Sequence, residues 1–200
     1  MFHKDLSTKI SEVQIENECT DVVFPQVSGL GNDAVEDKIN RLIEERVLAM
    51  IPREGCDVYG DINGDYEVML NERGILSLKF NVFTIRIHAA NGIEEQRSLT
   101  VNLETGRLYR LYDLFKRNSN YKSVINEIIR EQIEERDIPL IKEFAGIDDY
   151  EDYYLTKNNL VIYFQELEFT PHFVGIPEFP IPYSQIKNLI RKDGPIARFI

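Results

Sequence analysis

The chain has 200 residues, of which 43% are hydrophobic and 28% are charged. This composition is typical of a globular protein and excludes collagen, coiled coil and intrinsic disorder as descriptions of the whole chain. The formal net charge is −11. Such an acidic chain argues against binding to a nucleic-acid backbone or to an anionic membrane surface.

The compartment is left open by the sequence. Apolar runs stay well below the length of about 18 residues that spans a bilayer, and the start of the chain lacks the apolar region of a signal peptide. We therefore expect either a cytoplasmic protein or part of a protein of the cell envelope. Cys19 and Cys56 form a disulfide in an oxidising compartment or remain free thiols, and the size of the chain favours free thiols. With no CxxC motif, we expect no zinc site.

The first hundred residues predict strands around one helix. Alternating apolar residues between Lys9 and Phe24 predict two short strands, and Asn32 or Asp33 is a suitable cap for a helix that ends before Pro52. The run Ile75–His88 is the strongest strand signal of the chain. Its apolar pattern changes face, which predicts a bulge or a strong bend near residues 81–83.

Residues 54–72 contain six acids and no lysine or arginine. The segment 60–65 is typical of a loop, and residues 66–70 of a strand. Oxygen donors stand at positions one, three, five and twelve of a possible calcium loop, but Tyr66 occupies the place of the required glycine. A solvated acidic hairpin loop is therefore favoured over a calcium site. The four candidate ligands are Asp61, Asn63, Asp65 and Glu72.

The second half predicts a strand over 99–103, a turn at 104–107, helices over 120–136 and from 137 onward, and a hairpin around 158–159. The continuous apolar run 160–164 predicts a strand covered on both faces, and Ser184 caps a last helix. Strands joined by tight turns favour an α+β fold with antiparallel sheets. We expect two small lobes, residues 1–93 and 94–200.

The candidate site lies in the aromatic-rich stretch Tyr153–Tyr183, where tyrosines and phenylalanines stand beside proline, glycine and acids. These aromatics form either a recognition face or a core, and the pattern does not decide between the two. An alternative is a small metal-dependent or carboxylate-based hydrolase, although its histidines are not spaced as in a metal motif. The candidate residues are Asp148, Asp149, Tyr163, Glu166, Glu168, His172, Phe173 and Tyr183.

Two signatures resemble a bacterial domain family. The first consists of residues 99–106 (LTVNLETG) followed by 111–116 (LYDLFK). The second consists of residues 160–165 (LVIYFQ) and 169–172 (FTPH), then Gly175 and 181–184 (IPYS). Together they resemble the RsiV/PdaC-like family, paired domains of unknown function in the ectodomains of a lysozyme-sensing anti-sigma factor and a peptidoglycan deacetylase. The first domain of the pair matches residues 10–90 and the second residues 94–190.

The resemblance implies an α+β fold of two lobes and a non-catalytic binding role at the bacterial envelope, without a cofactor. It also implies a partner, either a cationic protein such as a lysozyme or a cell-wall glycan. A cytoplasmic protein with a regulatory role remains the alternative.

Overall fold

The structure is a computed structural model that describes residues 6–200, so the first five residues, with His3 and the expected lack of a signal peptide, lie outside it. The chain forms two compact units. The first ends at Leu108 and the second comprises Tyr109–Ile200. The predicted α+β class is confirmed. None of the helices in the described part of the chain is long and apolar enough to cross a membrane.

The first unit is built on one five-stranded sheet, in which each strand pairs with its neighbour along the chain. All neighbours are antiparallel except β2 and β3. A parallel pair needs a crossover connection, which here carries the helix α1, Asp33–Leu48. The strands are β1 Lys9–Glu16, β2 Thr20–Ser28, β3 Tyr59–Glu72, β4 Ile75–Arg86 and β5 Ile93–Asn102.

Helix α1 begins where the sequence predicts, because Asn32 caps it. The Asn32 side chain accepts a hydrogen bond from the backbone N–H of Val35 at 3.3 Å, which satisfies one of the unpaired donors of the first turn. Its stripe Ile39, Ile43 and Val47 is buried in the same core as the inner face of the sheet. Burial of this apolar surface is the main stabilising term of the unit.

The predicted bulge in β4 is wrong. Strand β4 pairs with β5 in unbroken register from Ile75 to Thr84, and the register shifts lie in β3, at Tyr59/Asp61 and Val68/Leu70. The apolar pattern changes because Phe83 and Ile85 lie on the second face of the sheet, while Leu78, Phe80 and Val82 fill the core face. Both faces of this strand carry apolar side chains, so no change of face is needed.

The segment 60–65, predicted as a loop, is also strand and belongs to β3. Residues 62–64 pair on both sides, with β2 and with β4, while Asp61 and Asp65 pair with β4. Likewise β5 pairs with β4 over its whole length. The first unit therefore includes residues beyond position 93.

The expectation of free thiols is wrong, because Cys19 and Cys56 form a disulfide. Cys19 precedes β2 and Cys56 lies in the 3-10 turn Gly55–Asp57 before β3. Thr20 is the register partner of Ile62, so the parallel pairing brings the beginnings of both strands to one end of the sheet. Their separation of 37 residues along the chain gave no sign of this proximity.

The second unit contains a three-stranded antiparallel sheet with β7 in the middle. Its strands are β6 Tyr153–Leu155, β7 Asn159–Tyr163 and β8 Glu178–Pro182. Residues 160–163 are buried, which confirms the prediction of a strand covered on both faces. Helix α2, Tyr121–Glu135, is buried along Tyr121, Ile125 and Ile129.

Two helix predictions for the second unit need correction. The helix predicted to begin at residue 137 is not formed, because Asp137 has a positive φ of 50° that turns the chain out of the helical path. The last helix, α3, is only the four residues Tyr183–Ile186 and begins after Pro182 rather than at a Ser184 cap. Of the apolar residues at helical spacing after residue 137, Phe144 is buried, whereas Leu140 and Ile141 are exposed.

Candidate binding surface of the second unit

The aromatic stretch of the second unit is a core with one exception. Phe164, Phe169 and Phe179 contact one another, and the ring of Phe164 meets both others edge to face at 4.9 and 5.8 Å between centroids. Seven of the eight aromatic side chains in this stretch are buried, whereas Phe173 is 82% exposed. The choice left open by the sequence is therefore decided in favour of the core.

Two of the candidate residues, Tyr163 and Tyr183, are part of this core and cannot meet a partner. Tyr163 is 0% exposed and packs beside Tyr154 at 6.1 Å between ring centroids. The Tyr183 hydroxyl donates to the carbonyl of Thr156 at 2.7 Å. Burial raises the pKa of Tyr183 well above its usual value. Both tyrosines are structural.

Residues 165–176, here called the anchor loop, project from the end of β7. The loop is closed at its base, where the N–H of Phe164 donates to the carbonyl of Pro177 at 3.2 Å. Its first turn is held by Glu168, whose carboxylate accepts from the N–H of Gln165 at 3.0 Å. Leu167 in that turn has a positive φ of 63°, which is uncommon for a residue other than glycine.

A side-chain contact between His172 and Glu166 ties the two halves of the anchor loop together. The Nδ1 atom of His172 contacts the carboxylate of Glu166, whose side chain is only 4% exposed. His172 begins the 3-10 turn His172–Val174, which carries Phe173. A buried carboxylate is retained where it has a charged or hydrogen-bonding partner. The pair therefore fixes the turn that displays Phe173.

The outward side of the anchor loop is apolar. Phe173 is the most exposed large apolar side chain of the described residues, and Leu167 is 46% exposed. Exposed aromatic side chains on an ordered loop are characteristic of interface anchors, because they bury a large area at small entropic cost. The geometry of this loop suits contact with another macromolecule.

Residues 148–152, here called the acidic loop, carry four acids and Tyr150. Asp148 closes a turn, since its side chain accepts from the N–H of Tyr150 at 2.5 Å. Tyr150 is 69% exposed and meets Tyr112 edge to face at 5.9 Å. Asp149 accepts from the hydroxyl of Tyr121 and pairs with Lys122 at 2.9 Å. These partners lower the pKa of Asp149.

Glu151 connects the acidic loop electrostatically with the anchor loop. Burial raises the pKa of Glu151 to about 7, and the negative charges of Glu168, Asp148 and Asp152 act in the same direction. Glu168 belongs to the anchor loop, so the two loops are near enough for their charges to interact.

The sequence did not single out Tyr150 and Leu167, which the structure places on this surface. The sequence does contain a sign of their exposure, because each is a single large apolar residue between two acidic residues. A side chain in that position has no apolar neighbour along the chain with which to enter a core. The prediction instead relied on the many aromatic residues of the stretch 153–183, most of which form the core.

The calcium loop is not formed. Asp61, Asn63, Asp65 and Glu72 all lie on the extended strand β3, where successive residues rise by about 3.3 Å each. Glu72 is therefore roughly 20 Å or more from the other three and cannot share an ion with them. Among residues 6–200, no group of three or more histidine, cysteine, aspartate or glutamate side chains is arranged to hold a metal.

The residues of the hydrolase alternative have structural partners. His172 contacts Glu166, while Asp149 is engaged by Tyr121 and Lys122. Each of these contacts is explained by the anchoring of a loop. The geometry does not distinguish a nucleophile, an acid and a base among them.

Comparison with known proteins gives consistent results. Residues 112–184 match a family model described as a protein of unknown function, DUF3298. The chain is 31% identical over 192 residues to the anti-sigma-V factor RsiV of Bacillus subtilis strain 168. That match covers 85% of this chain and 65% of the length of RsiV.

Two crystal structures have a similar fold. A member of the DUF3298 family from Bacteroides fragilis superposes with a TM-score of 0.73 at 14% identity, covering 98% of both chains. A DUF3298 family protein from Pseudomonas aeruginosa PAO1 gives 0.68 at 12% identity, covering 94% of this chain and 96% of the other. The resemblance to the RsiV/PdaC-like family is therefore confirmed, since residues 112–184 match the DUF3298 family model and the chain is similar to RsiV.

Proposed function

We propose that this chain is a non-catalytic binding module of an envelope-associated bacterial protein, and that it binds a cationic protein such as a lysozyme. The observation that carries the proposal is Phe173, an aromatic side chain 82% exposed on a loop held by the contact between His172 and Glu166. The relationship to an anti-sigma factor and the family resemblance support the same role.

The charge of the protein supports a cationic partner. The net charge of −11 and the acidic loop beside the anchor loop favour approach by a basic protein, because complementary potentials accelerate encounter. Phe173 and Leu167 add an apolar contact, which the charged groups do not provide. An interface of this kind combines a desolvated anchor with a charged rim.

The disulfide supports a place at the envelope. Disulfides form and persist outside the cytoplasm and are rare within it. A bond between Cys19 and Cys56 therefore favours the envelope over the cytoplasmic alternative.

The test is a titration of the whole chain with hen egg-white lysozyme by calorimetry at low and at moderate salt. We expect binding that weakens with salt, because exposed charges are screened over about 10 Å at 0.1 M. Phe173→Ala should weaken it by about tenfold or more, which is the size expected for an interface anchor.

Leu48→Ala is the matched control, since Leu48 is 49% exposed and lies at the end of α1 in the other unit. It should bind as the natural chain does. Absence of binding at both salt concentrations removes lysozyme as the partner. Equal affinity of the Phe173→Ala variant and the natural chain removes the anchor loop as the site.

A further inference from the structure

A groove of about 270 Å³ lies on the sheet of the first unit. Sheet alternation places it on the face opposite the helix, because Val22, Ile62 and Val82 fill the core while their neighbours along each strand point the other way. This volume is at the lower limit of small-molecule sites, which begin at about 300 Å³. The groove therefore has room for one ring-sized group.

The groove is assembled by strand register rather than by a loop. One row of register partners crosses four strands. Asp21 on β2 pairs with Asn63 on β3. Asn63 also pairs with Phe83 on β4, and Phe83 pairs with Glu94 on β5. A second row places Asp65 beside Asn81. Four adjacent strands of one sheet hold these side chains, so the arrangement is rigid.

The polar side chains that line the groove are acidic or neutral. Of the eight described residues that line the groove, three are acidic, two are asparagines and none is basic. Asp65 accepts a hydrogen bond from the Asn81 amide at 3.0 Å and Asp21 from the Gln14 amide at 2.8 Å. These bonds orient the carboxylates without neutralising their charge.

Phe83 provides the apolar part of the groove and is 39% exposed. A side chain at position 92 would overlap its ring, so the glycine there lets the backbone lie close against the aromatic side chain. This contact limits the rotation of the ring. A half-exposed aromatic ring fixed beside carboxylates and amides offers a stacking face together with hydrogen-bonding groups.

We propose that this groove binds an amino sugar unit of a glycan. The C–H face of the sugar ring stacks on Phe83, and the asparagine amides bind its hydroxyl groups. The ammonium group faces Asp21 and Asp65, whose carboxylates accept hydrogen bonds from the neutral amides of Gln14 and Asn81. A neutral sugar lacks the positive charge that these two carboxylates attract, and a linear polyamine leaves the amides unused.

The experiment is a titration of the whole chain with a glucosamine tetramer, followed by ¹H–¹⁵N NMR. We expect shifts of the amide signals of the groove residues and weaker binding at higher salt. The fully N-acetylated tetramer and spermidine should each bind about tenfold more weakly or worse, since each lacks one part of the recognition. Equal binding of either compound, or no shifts with the glucosamine tetramer, overturns the proposal.

Two variants localise the site. Phe83→Ala and Asp65→Asn should each weaken binding of the tetramer by about tenfold, with thermal unfolding measured to confirm that both are folded. Asp61→Asn is the matched control, because Asp61 lies on the same strand outside the groove. If either groove variant binds like the Asp61→Asn control, the groove is not the site. The lysozyme titration is independent of this result.

Discussion

At the scale of single residues, buried hydroxyl groups of the two units differ in whether they have a hydrogen-bond partner. Thr170 is 0% exposed, and its hydroxyl has no hydrogen-bond partner within residues 6–200. By contrast, the buried hydroxyl of Thr100 bonds to that of Ser77 at 2.9 Å. An unsatisfied buried hydroxyl lowers stability, whereas a paired one does not.

We therefore expect Thr170→Val to stabilise the protein by about 1 kcal/mol. Valine has nearly the same shape and removes the unpaired group. The measurement is urea unfolding, in which the midpoint should rise without a change of slope. Thr100→Val is the control and should lower the midpoint, since it leaves Ser77 without this partner. A fall of the midpoint for Thr170→Val would contradict the reading of that site.

Glu151 gives a prediction about pH. Its pKa is about 7 in the folded protein because of burial, against 4.5 for the free group. The folded state thus holds the proton to higher pH than the unfolded state. Its contribution to stability is complete below pH about 4.5 and is lost as the pH rises through about 7.

We expect Glu151→Gln to lose less stability than the natural chain between pH about 5 and 8, since the amide does not ionise. Urea unfolding at a series of pH values measures this difference. Glu143→Gln, at an exposed position of the same unit, should keep the natural profile. Parallel profiles for the natural chain and Glu151→Gln would show that Glu151 is not the group that titrates.

At the scale of elements, the first unit depends on one parallel pairing in an otherwise antiparallel sheet. The register of β2 with β3 spans only Thr20 to Val22, and it is the contact that the α1 crossover must bring about. The Cys19–Cys56 disulfide lies at the beginning of this pairing. It therefore holds the least extensive pairing of the sheet.

We expect the disulfide to contribute about 4 kcal/mol to stability, the chain-entropy value for a loop of this length, which spans 37 residues. Dithiothreitol should lower the urea midpoint of the natural chain. The double variant Cys19→Ser with Cys56→Ser should be equally destabilised and should not respond to dithiothreitol. An unchanged midpoint of the natural chain under reduction, with both thiols shown to be free, would contradict this.

At the scale of the whole molecule, two units with different architecture carry two different surfaces. The first unit has a regular sheet whose outer face holds polar side chains in register. The second has a small sheet with long connections, and its anchor loop carries the exposed Phe173. Sheets position groups rigidly, whereas loops display side chains for contact. The first surface thus suits a small ring and the second a protein.

The sequence by itself determined the α+β class, the position of helix α1 with a cap at Asn32 or Asp33, and the buried strand β7. These are local, because periodicity and capping act over a few residues. Tertiary structure alone decided the disulfide, since the pairing of β2 with β3 joins residues distant in sequence. It also decided that Tyr163 lies in the core and Phe173 outside, because packing, not residue type, assigns an aromatic side chain to a core or to a surface.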